Sequence, residues 1–225
     1  MARQIAKRDQ GLLDHGTKPR WCKQRTEPLE VLCLGLHRTG TTSMYEAMEI
    51  LGYGTLYNSR EALRRNLCTF VGTMLTDKYE ARGPWPPRIE QFESLWGEYR
   101  AISGEVAYAF SEEIIPLYPD AKIILTVRDD EEKWFASSMN TSWYNNSHLF
   151  TRILYALDPN WVQIREYVGK MFKYFYRGDF PANGIRMYRE HNAMVKRLGG
   201  DRVLVFNTKD GWGPLRPRIA ISFVP

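Results

Sequence analysis

The chain is poor in cysteine and has none in pairs. Its three cysteines, Cys22, Cys33 and Cys68, are odd in number and form no CxxC. That excludes a disulfide framework or a zinc ribbon, and the three read as free thiols in a reducing compartment. The four histidines, His15, His37, His148 and His191, show no metal-ligand spacing with cysteine or carboxylate, so no metal site is expected. No run reaches about 18 consecutive apolar residues, which predicts no transmembrane helix. The opening Met1-Ala2-Arg3-Gln4 lacks the apolar segment of a signal peptide, and a cytoplasmic protein is the expectation. There is no internal repeat, no low-complexity segment and no long run of one charge. The 31 basic and 26 acidic residues leave a net charge of +5. No nucleic-acid-binding signature accompanies that excess, so no nucleic-acid partner is expected. An anionic small ligand accounts for it equally well.

What remains is an ordinary globular composition, 44% apolar and 25% charged over 225 residues, enough for one sizeable core. Residues 1–28 are polar and basic and read as an irregular leader; residues 29–225 read as a single domain. Leu29–Leu36 is a short apolar run ending at glycine, the pattern of a strand buried on both faces. Thr42–Leu51 carries Met44, Ala47, Met48 and Leu51 at helical spacing, with Gly52 as a stop. Residues 59–98 read as helix, loop and helix, broken at Gly83-Pro84-Trp85-Pro86-Pro87, the second helix running through Ile89–Trp96. Tyr99–Ser103 reads as a short strand and Phe110–Leu117 as a helix. Ala121–Val127 is a second clear buried strand, and Glu131–Met139 begins a helix. Trp161–Phe175 places its apolar residues on one stripe, residues 185–198 make a looser helix, and Arg202–Phe206 closes with a strand. Strands alternating with helices predict an α/β fold, a three-layer parallel sheet with flanking helices.

The most specific signal is Gly35-Leu36-His37-Arg38-Thr39-Gly40-Thr41-Thr42-Ser43. Two glycines bracket four residues between a strand and a helix, which is the Walker A frame of a P-loop NTPase-like fold with Thr41 where lysine stands. Such a loop must aim successive N–H groups at one anion, and glycines permit the dihedrals and the close approach. The following helix adds its positive end. The missing lysine argues against a kinase or NTPase, which needs it at the terminal phosphates. Arg38 supplies a charge from within the loop, with a fork able to bridge two oxyanions. The G-x-G-x-x-G fingerprint of dinucleotide binders is not present. A second anion position is read at Arg128, where a buried strand delivers its last residue to the ligand edge of the sheet.

Gly35–Ser43, with Leu32-Cys33-Leu34 before it and Glu49-Ile50-Leu51-Gly52-Tyr53 after it, resembles the 5′-phosphosulfate loop of the P-loop sulfotransferase-like group common in fungi. Tyr118–Asp129 with Trp134 downstream, Arg189-Glu190-His191-Asn192-Ala193 and Asp210-Gly211-Trp212 carry the same resemblance, which runs from about residue 29 to 215. It implies a PAPS-dependent sulfotransferase that passes a sulfonate to a hydroxyl of a small molecule, with no metal. A nucleotide-binding protein without transferase activity, or a P-loop kinase or NTPase, are the alternatives. By that resemblance Thr39, Gly40, Thr41, Thr42 and Ser43 cradle the 5′-phosphosulfate, with Arg38 in the place of the catalytic lysine. Arg128 and Ser137 hold the 3′-phosphate, with Ser138 a rival because the spacing is one residue longer than usual. Trp134 is read as packing the helix on the sheet. Relatives read Asp-x-Pro where this chain has Ser103-Gly104-Glu105-Val106, so the expected aspartate falls on Gly104. Glu105 and His37 are the two candidates for the base. His191 is read as packing. The end of the chain, Arg216-Pro217-Arg218-Ile219 onward, departs from the family pattern and reads as truncated. The sequence specifies no oligomeric state.

Overall fold

The structure, a computed structural model, describes residue 25 and residues 27–80, 88–157 and 159–219. Cys22, nearly all of the 1–28 leader, the Gly83–Pro87 break and the chain beyond residue 219 lie outside the described residues.

Four strands form one sheet: β1 (Val31–Cys33), β2 (Ala101–Ile102), β3 (Lys122–Thr126) and β4 (Val203–Phe206). Their order is β2-β1-β3-β4 and every pairing is parallel. Val31 sits opposite both Ala101 and Lys122, and Ile124 opposite both Cys33 and Leu204. Each expected strand is present and each is shorter than its apolar run. For β1 the reason is visible. Leu34 still donates to the Ile124 carbonyl at 2.9 Å, and then the chain turns away into the glycine loop.

The helices are α1 (Thr41–Ile50), α2 (Ser59–Arg64), α3 (Cys68–Glu80), α4 (Ile89–Trp96), α5 (Gly104–Ala109) and α6 (Ser111–Leu117). They continue as α7 (Glu131–Ser138), α8 (Tyr144–Ser147), α9 (Leu149–Leu157), α10 (Pro159–Tyr174), α11 (Phe180–Gly199) and α12 (Leu215–Ile219). Side chains alternate across the strands, so each strand feeds both faces. Val31, Cys33 and Ile124 pack with Met44, Ala47 and Met48 of α1 and with Leu215 and Ile219 of α12. Leu32, Ile123 and Leu125 face the other way, into a larger core that includes Trp134, Phe172, Phe180 and Tyr188. That gives the three layers the alternation of strands and helices predicts.

The differences lie in the helices. The 59–98 segment holds three helices where two were expected, and α5 precedes the helix read over Phe110–Leu117. Beyond α7 the chain passes through a π-helical turn, Met139–Trp143, into α8 and α9. α2, α5, α8 and the π-helical turn each span six residues or fewer, too brief for a period to register. Local chemistry starts several of the helices. Asn58 accepts from the Arg60 and Glu61 amides, Asp130 from those of Glu132 and Lys133, and Asp179 from that of Ala182. Each side chain satisfies N–H groups the first turn leaves open. A nearly buried ion pair, Lys78–Glu113 at 2.9 Å, ties α3 to α6. No helix among the described residues is long and apolar enough to cross a membrane.

Candidate active site

The loop between β1 and α1 has a shape only its own residues allow. A Cβ at Gly35 would lie 1.8 Å from Thr126 Oγ1 and 2.6 Å from the Thr126 carbonyl oxygen. Gly40 has φ +100°, and a Cβ there would lie 2.3 Å from Thr208 Cγ2. Arg38 also takes a left-handed conformation, φ 65°. Thr39 is buried, and its hydroxyl donates to the Leu36 carbonyl at 2.6 Å. Since Thr39 has one hydroxyl proton, Thr126 must be the donor in the 2.7 Å contact between their Oγ1 atoms. The Thr39 side chain therefore pins the loop to β3 and leaves only its backbone amide for a ligand. Gly40 caps α1 with no side-chain hydrogen bond, and no acidic residue stands in the first turn. The amides of Thr41, Thr42 and Ser43 are thus left at the positive end of the helix, which suits an anion.

Arg38 is exposed and its Nε donates to Ser137 Oγ at 3.1 Å. Ser138 is fully buried and its Oγ has no partner among the described residues. Of the two rival serines, Ser137 is the one on the open side. Arg128 follows β3; its amide donates to Tyr188 Oη at 3.0 Å and its guanidinium to the Lys133 carbonyl at 3.3 Å. The acidic residues after it are engaged elsewhere. Asp129 bonds Lys209 and Asn207, Asp130 caps α7, and Glu131 pairs with Arg189. Among the described residues no carboxylate pairs with Arg128, which keeps its charge available to an anion. The structure brings Ser137 to Arg38, while Arg128 sits at the opening turn of the same helix.

Two cavities meet beside the loop. One, of about 210 Å³, is polar and is lined by Thr41 and Thr42 of α1, by Ser59 and by Gly104. The other, of about 180 Å³, is walled by Val168, Met171 and Phe172 of α10 and by Tyr108 and Tyr176. His37 and Glu105 line both and so stand at their shared boundary. The two residues read from sequence as candidate bases are therefore brought together at one place. Arg38 and Ser137 line neither cavity and flank the loop from outside.

His37 is buried. Its Nδ1 lies 3.2 Å from Tyr176 Oη and 3.3 Å from Tyr108 Oη, and its Nε2 has no partner among the described residues. Burial, and after it the neighbouring Arg38 charge, pushes its pKa down to about 4. The ring is therefore neutral near pH 7, with a lone pair on one nitrogen that is less basic than that of a free imidazole. Glu105 lies in the first turn of α5 and accepts a hydrogen bond from Ser59 Oγ. Gly104 before it has φ +83°, and a Cβ there would lie 3.1 Å from Ser59 Oγ. The backbone at 104 therefore fits glycine, and the carboxylate stands one residue later. Trp134 is buried and donates to the His37 carbonyl at 2.8 Å, holding the loop from behind. His191 supports the end of β1, its Nε2 donating to the Leu34 carbonyl at 2.7 Å.

Sequence reasoning missed Tyr108, Tyr176 and Ser59. Tyr108 stands three residues after Glu105, on one helical face with it, which is the one signal that was available. No group of three or more His, Cys, Asp or Glu among the described residues could hold a metal ion. A family model described as a sulfotransferase domain matches residues 30–219. A curated relative, "Ava biosynthesis cluster protein M" of Aspergillus versicolor, is 30% identical over 211 residues, covering 83% of this chain and 74% of that protein.

Proposed function

This chain belongs to the sulfotransferase domain family, and from that premise we propose that it transfers the sulfonate of PAPS to a hydroxyl group of a small molecule. One observation carries the reading. A polar cleft at the uncapped start of α1 and a largely apolar cavity share His37 and Glu105 at their junction. A donor at the loop and an acceptor in the cavity would meet there.

The chemistry asks for few things. The sulfonate passes in line from one oxygen to another, so the protein must position both partners, stabilise charge on the leaving oxygen and remove the acceptor proton. The amides of Gly40, Thr41, Thr42 and Ser43 would hold the 5′ end of the donor, with Arg38 above them. Arg128 and Ser137 would hold the 3′-phosphate. Glu105 is the proposed base: its carboxylate is fixed by Ser59, with the neutral His37 beside it as the alternative proton acceptor. Tyr108 and Tyr176 would orient the imidazole.

The test is direct. Purified protein is incubated with radiolabelled PAPS and a panel of phenols and alcohols. Label should move to a hydroxylated acceptor, and that transfer should fall by about 10²- to 10⁴-fold in Glu105→Gln, the usual contribution of a general base. A melting temperature raised by PAP but not by ATP-magnesium supports the donor assignment by mass action. PAP binding with no transfer to any acceptor would leave a nucleotide-binding protein instead. That second reading is favoured by one observation, a glycine at 104, where the family resemblance leads one to expect an aspartate.

A further inference from the structure

The apolar cavity contains a charge that the transfer reaction does not need. Arg165 lies on α10 one turn from Val168, on the same face as Met171 and Phe172, and is half-buried in the cavity wall. Among the described residues no carboxylate, carbonyl or hydroxyl partners its guanidinium. Asn145 and Asn146 of α8 line the same wall. A partly desolvated guanidinium beside apolar side chains is costly unless something pairs with it, and its planar fork matches a carboxylate.

Among the described residues, the other charged group that lines this cavity is Glu105. It also lines the polar cleft, whereas Arg165 lines the apolar cavity alone. The acidic group is therefore at the junction with the donor cleft and the basic group is away from it. A molecule that fits both has its hydroxyl toward Glu105 and an anion toward Arg165. The volume suits a small occupant. A cavity of about 180 Å³ compares with the roughly 150 Å³ of an engineered apolar cavity that holds one benzene. The rings of Phe172, Tyr108 and Tyr176 suit an aromatic occupant.

We infer that the acceptor cavity is built for a single-ring hydroxylated aromatic carboxylate, and that Arg165 is the specificity-determining residue that recognises its carboxylate. This rests on the sulfotransferase reading for the direction in which the hydroxyl points. It does not need turnover to be tested.

Calorimetry should compare 4-hydroxyphenylacetate with its methyl ester on the wild-type protein and on Arg165→Gln and Arg165→Lys. The acid is expected to bind wild type about ten- to a hundred-fold more tightly than the ester, the factor carried by a charge-assisted hydrogen bond. Arg165→Gln should lose that preference while keeping ester affinity, and Arg165→Lys should retain part of it. Equal binding of acid and ester to wild type, absence of binding by both, or a preference that survives Arg165→Gln would overturn the assignment, and the first two need no variant to fold. Sulfonate transfer measured with the same pair separates the two readings. Preferential binding of the acid without transfer sinks the transferase reading alone, and transfer to acid and ester with equal KM sinks the Arg165 assignment alone.

Discussion

An added Cβ at Gly35 would meet Thr126 Oγ1 at 1.8 Å, whereas at Gly169 on α10 the nearest atom would be Asn146 Oδ1 at 3.8 Å. The contrast holds for the whole of the two regions those glycines belong to. In the β1–α1 loop, Gly35, Thr39 and Gly40 are each fixed by a close approach or a buried hydrogen bond. In the helical region that carries Gly169, α9 leaves Leu149 68%, Phe150 64% and Leu157 77% exposed, and α10 contributes Val168, Met171 and Phe172 to the cavity wall. A site for an invariant donor can be built from backbone geometry, which tolerates few substitutions. A site for a variable acceptor is built from side chains, which tolerate many.

The largest expected effects are kinetic. Arg38→Ala should lower kcat with PAPS by about 10²- to 10³-fold, the range for losing one charge-stabilising donor. Arg38 is exposed, so the melting temperature should hold. Glu105→Gln should lower kcat while leaving PAP affinity intact. If Glu105→Gln weakened PAP binding as much as turnover, the carboxylate would belong to the donor side and the division would fail. Next in size is the glycine pair itself. Gly35→Ala should destabilise the fold by about 3 kcal/mol or more, because both nearby groups sit on a packed strand. Gly169→Ala should stabilise it by up to about 1 kcal/mol through helix propensity. Urea unfolding of the two variants reads both, and the same sign for both would break the comparison.

This division also decides what the sequence disclosed. Strand, glycine loop and helix were legible because backbone geometry at Gly35 and Gly40 restricts the residue type. The buried strand ending at Arg128 was legible because two-sided burial leaves an unbroken apolar run. Glu105 and His37 were legible as candidates, but their meeting between two cavities was not. His37 comes from the loop and Glu105 from the start of α5, a helix too short to show a period. Phe172 was hidden differently. Its stripe marks α10 as amphipathic, yet the same stripe would serve core packing, and no spacing separates a cavity wall from a core. Tyr176 lies beyond the end of that helix and outside the stripe. Thr39 was read as part of the phosphosulfate cradle, and only the contacts with Leu36 and Thr126 show its hydroxyl turned inward.

Acid should probe the loop side. Burial pushes both His37 and His191 down to about 4, below the 6.5 or so of an unfolded chain. Above about pH 6.5 neither state binds these protons. Between about 6.5 and 4 the unfolded chain takes them up and the folded protein does not, so stability is lost as pH falls through that window. The slope is about 1.4 kcal/mol per pH unit for each histidine. Urea midpoints at pH 6.5, 5.5 and 4.5 should show the combined slope, and His191→Asn should roughly halve it. An unchanged slope would mean that another group carries the acid sensitivity.

The smallest effects come from two adjacent serines and sharpen the comparison most. Ser137 Oγ accepts from Arg38 on the open side of α7, and Ser138 Oγ is buried without a partner among the described residues. Removing an unsatisfied buried hydroxyl relieves a desolvation cost, so Ser138→Ala should raise stability by about 1 kcal/mol and leave PAP affinity unchanged. Ser137→Ala should leave stability within about 0.5 kcal/mol and weaken PAP binding by about three- to tenfold, the worth of one hydrogen bond. Thermal melts with and without PAP read both quantities on one sample. If Ser138→Ala weakened PAP binding while Ser137→Ala did not, the extra residue in the acidic turn would have shifted the register of α7, and the 3′-phosphate site would have to be rebuilt around the inner serine.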